Sequence, residues 1–249
     1  MFMCSAAIRF HGELKDFLRP GNTSGLVRYP LDRRASIKDV IEALGPPHTE
    51  VGAIRINGTE AGFEHLLEEG QAVEVMPQPI PIPVTRATLL RPEPLPKIRF
   101  IVDVNVGKLA NLLRILGFDA AFDHQYRDAQ IAEIANVQGR IVLTMDRDLL
   151  KRSLVVHGRL IRSHIPEVQL RQVLHDFGLS GPFPLFSRCV RCNVGLVPVP
   201  KTEILPRLEP KTRKYFHEFH VCPQCDRIYW QGSHHDKMIK RLKTLQIVA

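Results

Sequence analysis

The apolar positions along the chain change period several times, and each change marks an element. In "GKLANLLRILG", Leu109, Leu112, Leu113 and Leu116 recur at i, i+3, i+4 and i+7, one face of a helix, and Gly117 stands where a helix C-terminus favours glycine. The runs "KIRFIVDV" (97–104) and "RIVLT" (140–144) do not alternate. They are apolar and β-branched throughout, as strands buried on both faces of a parallel sheet are. "FDAAF" and "GRLIRS" add two shorter strands, and "DAQIAEIANVQG" and "PEVQLRQVLHDFG" two more helices. Strands alternating with helices of this length predict a parallel, doubly wound α/β sheet.

The first third of the chain follows a different order. "AAIRF" and "GLVRYPL" read as strands, and "SIKDVIEALG" as a helix with Ser36 as N-cap, Asp39 at the capping-box position and Gly45 beyond its end. "AIRING" and "AVEVMP" are two more strands, with a turn signal at Asn57-Gly58. Strand, strand, helix, strand, strand is the order of a β-grasp, ubiquitin-like domain. Between the two regions lies "PQPIPIPVTRATLLRPEPLP" (77–96), whose seven prolines exclude a helix interior or a central strand and predict an extended linker. The expected division is 1–76, a linker at 77–96, an α/β domain over 97–182 and a C-terminal module over 183–249.

That last module carries the charge. The net charge of the chain is +8, and between Arg188 and Lys243 there are 12 Lys or Arg against 5 Asp or Glu. Such a surplus suits a polyanion, although it also suits a solvated surface. Basic residues mix with Tyr215, Phe216, Tyr229 and the single tryptophan, Trp230, in "PRLEPKTRKYFHEFH" and "RIYWQGSHHDKMIKRLK". Aromatics among cations can stack bases while the cations hold phosphates, or can form the core of a small module.

Four of the five cysteines form two CxxC pairs, Cys189/Cys192 and Cys222/Cys225, while Cys4 stands alone and is expected to be inert. Each pair turns two sulfurs toward one point, and two pairs make a closed S₄ site for a structural Zn²⁺. His217 and His220 precede the second pair as substitute ligands that four cysteines make unnecessary. No apolar run reaches 18 residues, and the N-terminus meets charge too early for a signal peptide, so no membrane is expected and the expected compartment is the cytoplasm.

The remaining chemistry is acidic. Asp103 follows "FIV" and Asp146 follows "IVLTM", which places both at the C-terminal edge of the sheet, where α/β folds bind ligands. Asp128 opens a helix on that side and Asp148 lies two residues past Asp146. Carboxylates crowded at one edge repel one another, and a divalent cation such as Mg²⁺ or Mn²⁺ removes that penalty. Plainer roles exist: Asp128 as a helix N-cap, and Asp148 as the cap of a helix beginning at Leu149. Glu133 is the reserve for the middle acidic ligand. His234 and His235 are candidate acid or base groups.

Two resemblances extend this reading. "INGTEAGFEHLLEEGQAVEVMP" resembles the sulfur carriers of the molybdopterin and thiamine pathways, whose activity needs a free C-terminal Gly-Gly. Here the strand continues through Met76-Pro77-Gln78, which leaves a recognition or scaffolding role. "RFIVDVNVGKLANLLRILGFDAAF", "RIVLTMDRDLLKR" and "CDRIYWQGSHHDKM" resemble the ribonuclease family named for the C-terminal region of the Mut-seven exonuclease. That resemblance covers nearly the whole chain and implies a PIN-like three-layer nuclease fold between a ubiquitin-like domain and a zinc ribbon. It implies that Asp103, Asp128, Asp146 and Asp148 hold Mg²⁺ or Mn²⁺ for catalysis, and that Lys108 and Arg114 contact phosphate. Arg147, Arg152 and Trp230 complete the expected substrate contacts. Met145 stands where that family usually has an arginine, and Asp103-Val104-Asn105 is closer to the general PIN pattern.

The leading expectation is a metal-dependent ribonuclease acting on RNA, with transfer RNA among the candidate substrates, and with homodimerisation as in other PIN-like domains. A noncatalytic RNA-binding module with the same architecture is the alternative. An aspartyl-nucleophile phosphohydrolase is the third, although such enzymes usually carry Asp-x-Asp where this chain has Asp103-Val104-Asn105.

Overall fold

A computed structural model describes residues 5–248, so Cys4 lies outside the described residues. The first region is a five-stranded mixed sheet ordered β2-β1-β5-β3-β4. It comprises β1 (Ser5–Phe10), β2 (Leu26–Pro30), α1 (Ile37–Leu44), β3 (Val51–Ile56), β4 (Thr59–Glu60) and β5 (Ala72–Pro77). The central pair β1 and β5 is parallel, and Ser36 caps α1 by accepting from the Asp39 N–H at 3.2 Å. Asn57 and Gly58 both adopt positive φ, which makes the two-residue turn joining β3 to β4. This is the expected β-grasp arrangement.

The second sheet is fully parallel in the order β7-β6-β8-β9. Its strands are β6 (Phe100–Val102), β7 (Ala120–Ala121), β8 (Ile141–Thr144) and β9 (Gly158–Leu160). Its helices are α2 (Gly107–Ile115), α3 (Asp128–Gln138), α4 (Arg147–Leu150) and α5 (Pro166–Asp176). Side chains alternate across a strand, and the two cores show it. Phe100, Val102, Ile141 and Leu143 pack with Leu109, Leu113, Leu170 and Val173 of α2 and α5. Ile101 and Val142 join Ile131 and Ala135 of α3 on the other face.

That second core does not stop at the α/β domain. It continues through Leu149, Leu150 and Val155 into Ile8, Phe10, Val40 and Val75 of the β-grasp sheet. The junction also contains a buried charge cluster. Arg159 of β9 donates to Asp176 at 2.7 Å and to Glu13 at 2.8 Å and pairs with Glu50, which also accepts from the Leu160 N–H at 2.8 Å. Burial works against the Arg159 charge, and Glu50 and Asp176 beside it reverse that effect and hold the guanidinium protonated. Removing one partner of such a cluster leaves a buried charge unpaired, at a cost of about 3–5 kcal/mol.

The segment 77–96 is not a free linker. Ile82 and Val84 are buried in the α2–α5 core, and the Ile82 N–H donates to the Asp176 carbonyl at 2.7 Å. Arg91 is 6% exposed and donates to the carbonyls of Val51, His48 and Val156, tying both sheets together. Prolines forbid regular structure here, but they do not forbid docking.

The C-terminal module holds β10 (Val197–Pro198), α6 (Lys201–Ile204), α7 (Pro210–Tyr215), β11 (His220–Val221), β12 (Ile228–Tyr229) and α8 (Ser233–Thr244). The strands form a small antiparallel sheet around Ile204, Leu208 and Phe219. Its return helix α8 buries Leu242 completely against the α2–α5 core. Among the described residues no helix is long and apolar enough to cross a membrane.

Candidate active edge and metal centre

Asp103 leaves β6 and Asp146 follows β8 by two residues, so the parallel register sets both at one edge of the sheet. One hydroxyl links them. Thr144, fully buried, donates to the Asp103 Oδ2 at 2.7 Å, while its Oγ1 accepts from the Asp146 N–H at 2.9 Å. Asp103 is 5% exposed and also accepts from the Val104 N–H and the Asn105 amide, each at 2.6 Å. Asn105 in turn accepts from the Met145 N–H at 3.1 Å, bracing the two strand ends. Thr144 and Asn105 are site residues that sequence reasoning did not select. The signal was present in Asp103-Val104-Asn105, where a side-chain amide two residues on can turn back to the aspartate.

Asp146, rather than Asp148, caps α4: its Oδ1 accepts from the Asp148 N–H at 2.8 Å. Asp148 sits in the first turn, its side chain 91% exposed and 4.0 Å from the Lys151 ammonium. Asp128 is not a cap either. Arg127 occupies that position and its N–H donates to Gln130 at 3.0 Å, so the Asp128 carboxylate is free of capping and lies 3.8 Å from Arg152. Glu133 is exposed on α3.

The carboxylates are therefore not gathered into a four-membered cage. Among the described residues, the only group of three or more ligand side chains within 4.8 Å of one another is made of cysteines. The edge nevertheless fits a hard cation. Mg²⁺ is commonly held by one or two carboxylates and keeps several waters, and Asp103 and Asp146 are the two that face no cation.

The expected phosphate contacts divide. Lys108 is exposed in the first turn of α2, and Arg147 is exposed beside Asp146 with its guanidinium 4.9 Å from the Phe17 ring centroid of the β-grasp region. Arg152 is partly held by Asp128. Arg114 cannot serve: it is 3% exposed, and its guanidinium donates to the carbonyls of Ala120 at 2.8 Å and Val190 at 2.7 Å. Its role is to anchor the first cysteine knuckle to α2 and β7. Asn193 supports the same joint, accepting from the Ala120 N–H at 3.0 Å and donating to Asp119 at 2.7 Å.

Cys189, Cys192, Cys222 and Cys225 bring all four sulfurs within 4.8 Å of one another. Cys189 and Cys225 are 3.7 Å apart, against about 3.8 Å for two ligands of a tetrahedral site with Zn–S near 2.3 Å. Backbone N–H groups of Cys192 and Cys225 donate to the first sulfur of each knuckle at 3.3 and 3.4 Å. Burial opposes the Cys189 thiolate, but hydrogen bonds from Tyr229 and the backbone outweigh it and hold its pKa down at about 6. Burial and the neighbouring sulfurs push Cys192 up to about 12. Four thiolates cannot coexist so closely without a cation, and this donor set fits structural zinc. Tyr229 is thus spent on a sulfur. Trp230 is 38% exposed and leans on Phe216 and Phe219, with ring centroids 6.5 and 6.3 Å away.

The fold and site define an α/β domain with a carboxylate edge, fused to a ubiquitin-like domain and a four-cysteine module. The chain belongs to the Mut7-C RNAse domain family, whose model matches residues 98–242, and the Mut7-C ubiquitin model matches residues 3–82. No curated protein and no solved structure matches it. Membership carries the class of activity, a ribonuclease.

Proposed function

We propose that the chain is a metal-dependent ribonuclease that hydrolyses RNA phosphodiester bonds at the edge formed by Asp103 and Asp146. The observation that carries this reading is their placement at one sheet edge, where the Asp103 carboxylate and the Asp146 backbone N–H share the buried Thr144 hydroxyl, in a chain of a ribonuclease-domain family. Asp103 is held rigid by three donors, and Asp146 spends one oxygen on its helix cap, keeping the other for a ligand. Asp103 and Asp146 would hold a Mg²⁺ or Mn²⁺, which would supply positive charge for the phosphodiester oxygens and lower the pKa of the attacking water. The water oxygen would bond to phosphorus and release a proton to solvent as the bond to the leaving sugar oxygen breaks and that oxygen takes a proton from solvent. Asp128 and Asp148 flank the edge and tune its field, Lys108 and Arg147 contact the RNA backbone, and the basic zinc module holds the strand.

The test is cleavage of end-labelled single-stranded RNA and a transcribed tRNA with Mn²⁺, with Mg²⁺ and without either. Asp146→Asn, which keeps an oxygen for the α4 cap, is assayed beside it at equal zinc content. Metal-dependent cutting that falls at least about 100-fold in the variant is expected, the scale of losing one preorganised electrostatic group. Salt-sensitive RNA binding with no cutting by either protein overturns the enzymatic reading in favour of an RNA-binding module.

A further inference from the structure

A cleft of about 570 Å³ opens between the end of α2, the zinc module and α8, lined by neither Asp103 nor Asp146. We propose that it is a subsite for a single unstacked nucleobase of the RNA substrate. The inference rests on the ribonuclease reading and deepens it. The volume is that of a small-molecule pocket, and its walls are rings: Trp230, Phe216, Phe186 and His235. His235 already packs against Phe186 as a tilted pair, with centroids 4.3 Å apart and planes at 41°. Gly232 keeps the Trp230 wall open, because a Cβ there would lie 2.7 Å from the indole Nε1. Arg227 lines the rim, in the region that holds 12 basic residues against 5 acidic ones. Flat apolar walls beneath a cationic rim match a base attached to a phosphate chain, since every base has a π-face and stacking is tolerant of sequence.

One face of α2 leads from the end of β6 toward the cleft. Lys108, Asn111 and Ile115 lie at i, i+3 and i+7 of α2, on one helix face. Lys108 and Asn111 are exposed, and Ile115 is part of the cleft wall. From Lys108, in the first turn of α2, to Ile115 the helix rises roughly 10 Å. A strand with one base in the cleft can run along this face to place a phosphodiester at Asp103 and Asp146. His234 and His235, at the far end of α2, therefore belong to base binding rather than to acid–base chemistry at the edge.

Trp230 is the only tryptophan, so its emission reports the cleft directly. The experiment titrates the zinc-loaded full chain, without added Mg²⁺ or Mn²⁺, with a single-stranded RNA, an abasic strand of equal length and inorganic polyphosphate, while anisotropy reports binding. Quenching by the RNA alone is expected. Equal quenching by the abasic strand or polyphosphate, or bound RNA without quenching, overturns the subsite. Trp230→Ala should weaken RNA binding between about 5-fold and 100-fold at unchanged zinc content, with Trp230→Phe close to the parent; unchanged affinity in Trp230→Ala overturns it. Base-dependent quenching without cleavage under any metal would remove the ribonuclease reading and leave the subsite. Cleavage without base-dependent quenching would do the reverse.

Discussion

Four thiols and four carboxylates, each set assembled from separate parts of the chain, end in opposite arrangements. The sulfurs converge within 4.8 Å, whereas no three of the carboxylates do. Under the proposed function, the difference follows from what each metal would need. A closed structural site must take every ligand from the protein, so two tight knuckles and the backbone donors that support them fix all four in advance. A hard cation at a reaction centre shares its coordination with water and substrate, so two fixed carboxylates and a surrounding acidic field suffice. Thr144 and Asn105 hold the Asp103 carboxylate and the Asp148 N–H holds that of Asp146, while Asp128 and Asp148 stay apart, each beside a cation.

The largest effect expected from this contrast is on the sulfur side. Cys222→Ser should lose bound zinc and the fold of the C-terminal module, since structural zinc contributes on the order of 10 kcal/mol to such modules. Metal analysis and a shift of Trp230 emission toward that of exposed indole would show it. Full zinc occupancy with unchanged emission would mean that packing, not the metal, organises the module. A smaller effect separates the carboxylates from one another. Asp148→Asn should lower cleavage within about tenfold, against at least about 100-fold for Asp146→Asn. Equal losses measured at one metal concentration would show that the resting edge is regathered into a cage when metal binds.

Much of this organisation could be read from the residues. The i, i+3, i+4, i+7 leucines gave α2, the unbroken apolar runs gave β6 and β8, and the CxxC pairs gave the sulfur site. Tertiary partners decided the rest. The prolines of 77–96 predict an extended linker, but burial depends on what lies opposite, and Arg91 finds the Val51, His48 and Val156 carbonyls there. Arg114 is a phosphate contact only by the family resemblance, which matches it to a basic position without regard to its burial. One turn before it lies Ala110, which is buried, and this i, i+4 relation was the available sign that Arg114 faces inward. The Arg159, Glu50, Asp176 and Glu13 cluster unites residues more than a hundred positions apart, and no local pattern announces it.

The smallest effect concerns acid, which acts on the edge and on the fold through different groups. His157 is 6% exposed and its Nε2 has no hydrogen-bond partner. Burial, and then the charge of Arg91, push its pKa from 6.5 down to about 4. The unfolded chain therefore takes up the proton first as pH falls. The stabilisation is complete above pH 6.5 and is lost progressively toward pH 4. Between pH 6.5 and 5.5 the loss should be about 1 kcal/mol, read as a lower urea midpoint, and His157→Gln should flatten that slope. If cleavage falls over the same interval in the parent but not in His157→Gln, the fold limits activity in mild acid. If it falls equally in both, protonation at the carboxylate edge is responsible, and the contrast between a fixed structural site and an adjustable catalytic one extends to pH.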